Sequence, residues 1–381
     1  MLKKIEFGNY KAFKDEAELE IKPVTILLGK NSSGKSSVCK LVGALSEAAK
    51  GKLNELIPLR FGNIKLGSVY DDMFFNRNKA GLTLSLVYDD GLKLKSSYLV
   101  KEGRMYVERY VIEKGEYICE TKFKSLNESS DKAIKGLIWQ DALQKAKINP
   151  ESLAFSVDYI GPLRIEAKRI INQSDIAGTD FVGYDGSNTY EILLDSYLNG
   201  TDLFTNVSKW FEENMDGQRL DFDRQNLETG MYSILVRRGG AKVNVADVGE
   251  GVSQVLPIIT QSYKPNADIT IIEQPSLHLN SAAHASVARR VAASAKNSGK
   301  RYVIETHSKT FLLALQQMIA DPSNDFSRDD LVIYYVDHDE ESAILRPIEI
   351  NENMEYSYWP TGLFEEDYDL AIGIDKILSG L

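Results

Sequence analysis

Gly29-Lys30-Asn31-Ser32-Ser33-Gly34-Lys35-Ser36 comes directly after the apolar run Val24-Thr25-Ile26-Leu27-Leu28. The form G-x-x-x-x-G-K-S, set between a buried strand and a helix, is that of a phosphate loop. The helix is legible just beyond the loop: Val38, Leu41, Val42 and Leu45 share one face, and Ala48 and Ala49 extend it. The glycines let the backbone curl until successive N–H groups point at phosphate oxygens, and the helix N-terminus adds its partial positive charge. Gly29, Asn31, Ser32, Ser33, Gly34, Lys35, Ser36 and Ser37 are therefore expected to cradle a nucleoside triphosphate, ATP in the first instance. Lys35 would reach the outer phosphates, and the Ser36 hydroxyl would ligate a magnesium ion.

Upstream, residues 4 to 28 alternate in strand fashion and feed the loop. Segments 81 to 88, 92 to 100 and 105 to 118 alternate as well, with Asp89-Asp90-Gly91 as a hairpin turn, and together suggest an antiparallel β-subdomain. Residues 131 to 147 and 189 to 215 read as helices, the second broken at Asn199-Gly200. From about 245 strands and helices alternate: a helix from Val252 to Tyr263 containing Pro257, a strand Ile269–Glu273, an alanine-rich helix Ser281–Asn297 closed by Gly299, a strand from Tyr302, and a helix Thr310–Ala320 stopped by Pro322. Two strands at 331–336 and 343–350 close the pattern across an acidic turn. The expected organisation is a phosphate-loop lobe over 1–125, a mostly helical insertion over 126–240 and a second ATPase lobe over 241–381.

Three further motifs bear on chemistry. The strand 268–272 ends in Glu273-Gln274-Pro275, and an acid at the end of a buried neighbouring strand suits a magnesium site together with Ser36. Asp247-Val248-Gly249-Glu250-Gly251-Val252-Ser253-Gln254 places glycines and a serine at a helix start. His307 stands at a strand end in Ile304-Glu305-Thr306-His307-Ser308.

Phosphate loop, glycine-serine helix start, acidic strand end and then histidine is the order of the ATP-binding-cassette ATPases. The chain resembles their soluble branch and is similar to RecF, SMC and OLD-type ATPases. More closely, it looks like the AAA-like ATPases of bacterial anti-phage defence operons. GKNSSGKSS, YIGPLR (159–164), DVGEGVSQVLP, IIEQPSLHLN, IETHS and the tail SYWPTGLFEEDYD carry the likeness. The resemblance implies an α/β fold, an ABC-ATPase-like P-loop NTPase with a mixed sheet, an antiparallel β-subdomain and a helical insertion. It implies ATP hydrolysis with Lys35, Glu273, Gln274 and His307 as catalytic residues, His307 sensing the γ-phosphate. It also implies a head-to-head dimer in which Gly249, Gly251 and Ser253 of one copy cover the phosphates bound by the other, and a nucleotide-controlled switch for an operon-encoded effector such as a nuclease. Two departures stand out. Gln274 occupies the place where many cassette ATPases put a water-activating glutamate, and a glutamine can orient water without being a useful base, so slow hydrolysis is expected. The pattern P-E-x-H-L-H-P is replaced by Pro275-Ser276-Leu277-His278-Leu279-Asn280-Ser281.

Bulk properties bound the alternatives. Apolar content of 43% and charged content of 26% over 381 residues are those of an ordinary folded chain. The net charge of −10 argues against a globally basic nucleic-acid binder, and the basic groups Arg164, Lys168, Arg169, Arg237 and Arg238 are read as solvated faces or phosphate sensors. A RecF-like DNA-repair role survives as the alternative; an SMC form lacks its heptad-bearing arm, and an OLD-type nuclease lacks the chain length after His307. Arg164, after the turn Gly161-Pro162, suits either a phosphate or partner contact or a structural ion pair. Cys39 and Cys119 have no pairing or metal-ligand spacing. No apolar run approaches the ~20 residues of a membrane span, the start lacks a signal-peptide core, and a cytoplasmic location is expected.

Overall fold

The apolar runs at Val24, Ile269, Tyr302 and Leu331 scarcely alternate, the pattern of strands buried on both faces. In the computed structural model, which describes residues 1–123, 134–176, 178–226 and 230–364, all four lie side by side in one sheet. Along the chain, β1 (Leu2–Gly8), β2 (Ala17–Glu20) and β3 (Val24–Gly29) lead into α1 (Lys35–Ala49). A short hairpin, β4 (Arg60–Phe61) and β5 (Ile64–Lys65), precedes the meander β6 (Ala80–Tyr88), β7 (Lys93–Lys101), β8 (Arg104–Lys114) and β9 (Tyr117–Lys122). Next come β10 (Ile134–Lys135), β11 (Ile138–Trp139), α2 (Gln140–Lys145), β12 (Val157–Ile160), β13 (Ile171–Asn172), α3 (Thr189–Asn199) and α4 (Asp202–Asn214). β14 (Arg219–Asn226), β15 (Met231–Arg238) and β16 (Ala241–Asn244) lead to α5 (Glu250–Tyr263). The last elements are β17 (Ile269–Glu273), α6 (Ser281–Ser298), β18 (Arg301–Glu305), α7 (Lys309–Ala320), β19 (Leu331–His338) and β20 (Ala343–Ile348).

The central sheet has the order β12-β17-β18-β3-β19-β20 and is parallel except for β20. Its strands send alternate side chains to two different cores. Leu27, Ile269, Ile271, Val303 and Val336 join α1 and the antiparallel sheet β2-β1-β6-β7-β8-β9 on one face. Ile26, Leu28, Ile272, Ile304 and Ile333 join α3 to α7 and a smaller sheet of β13, β15, β14 and β16 on the other. The expected antiparallel subdomain and the late strand–helix alternation are both present.

The stretch 131–147 departs from expectation. Within its described part, 134–139 is a two-stranded hairpin turning at Gly136, and only Gln140–Lys145 is helical. Ile134, Ile138 and Trp139 pack there against the first core, so the apolar spacing that imitates a helix serves a hairpin. The segment 126–240 is accordingly mixed within its described part: besides α3 and α4 it holds the third sheet, and β12 forms an edge of the central one. The later part of the tail, from 365, lies outside the described residues. Three of the basic groups are engaged locally: Lys168 with Glu191, Arg169 with Asp247 and Arg237 with Asp221. Among the described residues no helix is long and apolar enough to cross a membrane. Cys39 is buried in α1 and Cys119 lies half-buried on β9, the outermost strand of its sheet.

β12 carries a carboxyl into the second core. Asp158 is 3% exposed; its Oδ2 accepts the Val182 N–H at 3.3 Å, and its Oδ1 has no partner. Burial pushes this carboxyl up to about 6, against the opposing backbone hydrogen bonds. Between the ordinary value of 3.8 and about 6 the folded chain keeps a proton that the unfolded chain has released. Its contribution is therefore whole below pH ~4 and is lost as pH rises through 6, an effect on the order of 2–3 kcal/mol. Calorimetric melting of Asp158→Asn beside the wild type should show the variant gaining a few degrees on the wild type between pH 4 and pH 7; parallel profiles would contradict this.

Candidate functional site

β3 is held between two parallel neighbours, β18 and β19, so the chain leaves the sheet at Gly29 into the crevice outside the strands' carboxyl ends. Gly29 has φ +147°, and a Cβ there would stand 2.6 Å from the Val336 carbonyl oxygen. Gly34 has φ +111° and begins α1, whose N-terminus has no side-chain cap. First-turn N–H groups left in this way form an anion site. Lys35 is 3% exposed, and its Nζ donates to the carbonyls of Gly29 (2.9 Å) and Lys30 (2.7 Å) and stands 4.0 Å from Glu305 Oε1. Burial lowers its pKa, and Glu305 opposes the shift. Ser33 is also 3% exposed, yet its hydroxyl has no hydrogen-bond partner. A buried orphan beside a curled glycine loop is what a bound phosphate oxygen would satisfy.

The loop opens on a cleft of about 550 Å³ lined by Lys11, Ala12, residues 31 to 37, Gln274, Glu305 and His307. Glu273 is not in that lining. It is 5% exposed at the end of β17 and takes a hydrogen bond from the Tyr159 hydroxyl of β12. Burial raises its pKa and the neighbouring Glu305 charge adds to that, against the Tyr159 bond and the cations Lys40 and Arg164. Glu305 is its register partner across the parallel ladder, and Glu305 Oε2 accepts the Ser36 hydroxyl at 2.7 Å.

Among the described residues Arg164 forms no ion pair and is turned onto backbone instead. It is 7% exposed and donates to the Glu273 carbonyl at 2.7 Å and to the Gln274 carbonyl at 3.4 Å, and burial brings its pKa down to about 10. Gln274 sits at φ +49°, donates its N–H to the Glu305 carbonyl at 2.8 Å, and is one of the residues lining the cleft. Such left-handed backbone at a non-glycine residue persists only where its surroundings hold it. His307 stands exposed at the rim; nearby protein, and then the Lys35 charge, hold its imidazole below the usual 6.5.

Of the residues expected from sequence, Asn31 to Ser37, Gln274 and His307 meet at this cleft, Gly29 underlies it, and Glu273 lies directly behind. Gly249, Gly251 and Ser253 do not line it. Gly249 is exposed at the uncapped start of α5, and Gly251 packs against the His278 carbonyl. Ser253 is 6% exposed and its hydroxyl donates to the Glu250 carbonyl at 2.8 Å. The parts that motif reading passes over are Lys11, Tyr159 and Glu305. Glu305 had one signal, since it ends its apolar run as Glu273 ends its own.

The model of a family described as "AAA domain, putative AbiEii toxin, Type IV TA system" matches residues 24–314, from the first residue of β3 into α7. The chain belongs to this family. Among solved structures it is similar to an Smc head bound to the C-winged helix domain of ScpA, with 15% identity, a TM-score of 0.52, and coverage of 93% of this chain and 99% of that one. It also aligns with the SMC head domain from Thermotoga maritima (14% identity, TM-score 0.45, 92% and 99% covered). A third alignment is with the Smc head domain with an extended coiled coil bound to the C-terminal domain of ScpA derived from Pyrococcus furiosus (14%, 0.48, 98% and 99%). No curated protein matches. The fold is that of an ABC-like P-loop ATPase.

Among the described residues no group of three or more His, Cys, Asp or Glu could enclose a metal. Magnesium is commonly held by one or two protein oxygens together with nucleotide phosphates, and the hard donors Ser36, Glu305 and Glu273 fit that mode.

Removing Arg164 would take the guanidinium from the Glu273 carbonyl and leave the Gln274 carbonyl only the Leu277 N–H, at the turn that presents Gln274. Arg164→Ala should lower stability by about 2–4 kcal/mol in urea unfolding, and any ATP turnover should fall with it. An unchanged midpoint would show the clamp to be dispensable.

Proposed function

We propose that this chain is a slow, magnesium-dependent ATPase whose copies close head to head on ATP and act as a nucleotide-controlled switch for a partner effector. The observation that carries this reading is the position of the Gly249–Gly251 turn. Gly249 is exposed at an uncapped helix N-terminus, Gly251 is half-buried in the first helical turn, and both lie outside the phosphate cleft of their own chain. Backbone of this kind is suited to covering phosphates held by another copy.

The residues divide the work. Loop N–H groups and Lys35 hold the outer phosphates, and the orphaned Ser33 hydroxyl gains an acceptor. A bound magnesium would neutralise charge on the β- and γ-phosphates. Gln274 orients water without accepting its proton, which keeps turnover slow. His307, its pKa lowered, is neutral at pH 7 and still offers one ring N–H to the γ-phosphate. Binding shared between two copies supplies the differential free energy that a population shift needs.

The effector, for which a nuclease is the natural candidate, the anti-phage setting and a cytoplasmic location draw on the motif likeness and on the family's toxin–antitoxin description. A DNA-repair role has less support, because Lys168, Arg169 and Arg237 are each already paired with a carboxylate.

Light scattering decides the matter. With ATP and magnesium the wild type should double its mass, Lys35→Ala should bind no ATP and stay single, and Gly251→Leu should bind ATP yet stay single. A wild-type protein that remains monomeric with ATP bound would end the switch reading.

A further inference from the structure

The sequence pairs Ser36 with Glu273 as the magnesium site, but the two side chains that meet are Ser36 and Glu305. The structure assigns to Glu305 the carboxylate role at this metal site: it holds the proton of the Ser36 hydroxyl and leaves that oxygen's lone pairs to face a divalent ion. The inference rests on the ATP-binding reading above and refines it.

Five observations point the same way. Glu305 Oε2 accepts the Ser36 hydroxyl at 2.7 Å, and a serine that donates its proton in one direction can offer lone pairs in another. Its other oxygen stands 4.0 Å from the buried Lys35 Nζ, so one carboxylate faces both working groups of the phosphate loop. Glu305 lines the cleft, whereas Glu273 is turned behind it with one oxygen taken by the Tyr159 hydroxyl. The Glu305 carbonyl also fixes Gln274 through its N–H at 2.8 Å, joining the metal site to the water-orienting side chain. Ser33, 97% buried and unpartnered in the same lining, independently marks the place as built for an oxyanion.

The sheet explains the exchange of roles. β18 lies directly beside β3, and β17 lies one strand further away. The strand-end acid of β18 is therefore the nearer neighbour of the phosphate loop, and Glu273 supports it from the far side as a second charge. Because Glu305 acts on the ion through Ser36, it is a positioning residue.

Its test reads the metal separately from turnover. Mn²⁺ would be titrated by electron paramagnetic resonance into protein loaded with a non-hydrolysable ATP analogue, and analogue binding would be measured in parallel with excess chelator. Glu305→Ala should weaken Mn²⁺ binding about 10- to 100-fold while chelated binding of the analogue changes less than threefold. Ser36→Ala should do the same, and the double variant should be no worse than either single one. Glu305→Gln, which keeps volume and one acceptor oxygen, should lie between, and it decides the matter should Glu305→Ala fail to fold. Wild-type Mn²⁺ affinity in both Glu305 variants, or a loss confined to Glu273→Ala, would overturn the assignment. A wild type that takes up no analogue at all would instead bring down the ATP-binding reading itself.

Discussion

The position of β3 between two parallel strands is the constraint on which the rest depends. A strand hydrogen-bonded on both edges cannot slide without breaking two ladders at once. Its carboxyl end, where Gly29 gives way to the phosphate loop, is thereby fixed relative to the ends of β18 and β19. Lys35, Glu305 and His307 meet because the register leaves them little choice. Glu273 stands one strand further on, aligned with Glu305 by the next parallel ladder.

The same sheet divides the interior. Strands buried on both faces need apolar residues at successive positions, and these four runs supply them, with Thr25 and Thr270 as the polar exceptions. Thr25 bonds the Glu20 carbonyl and Thr270 takes the Gln261 amide, so neither leaves a buried hydroxyl idle. The face over α1 is closed by an antiparallel meander, the other by helices and a smaller sheet.

Much of this was legible in the sequence. The phosphate loop, the meander with its Asp89-Asp90-Gly91 turn and the alternation after 245 each arise from local periodicity and turn chemistry. The hairpin at 134–139 was not legible, because short apolar spacings such as Ile134, Leu137 and Ile138 suit a helix face as well as two paired strands. Arg164 was visible as a charge, but its carbonyl partners come from a strand far along the chain. Glu305 stood in plain view inside IETHS, yet order along the chain favoured Glu273. Which acid lies nearer the loop depends on strand order, and strand order is a property of the whole sheet.

The burial of Cys39 has a practical consequence. Its thiol sits inside α1, raised by burial and then by the charges of Glu305 and Glu273, and a thiol held protonated out of solvent is a poor nucleophile. Cys119, half-buried on the outermost strand of the meander, is the sulfur a maleimide dye would reach. The native chain thus carries its own single attachment point for a fluorescent reporter, on a different sheet from the one that builds the phosphate cleft.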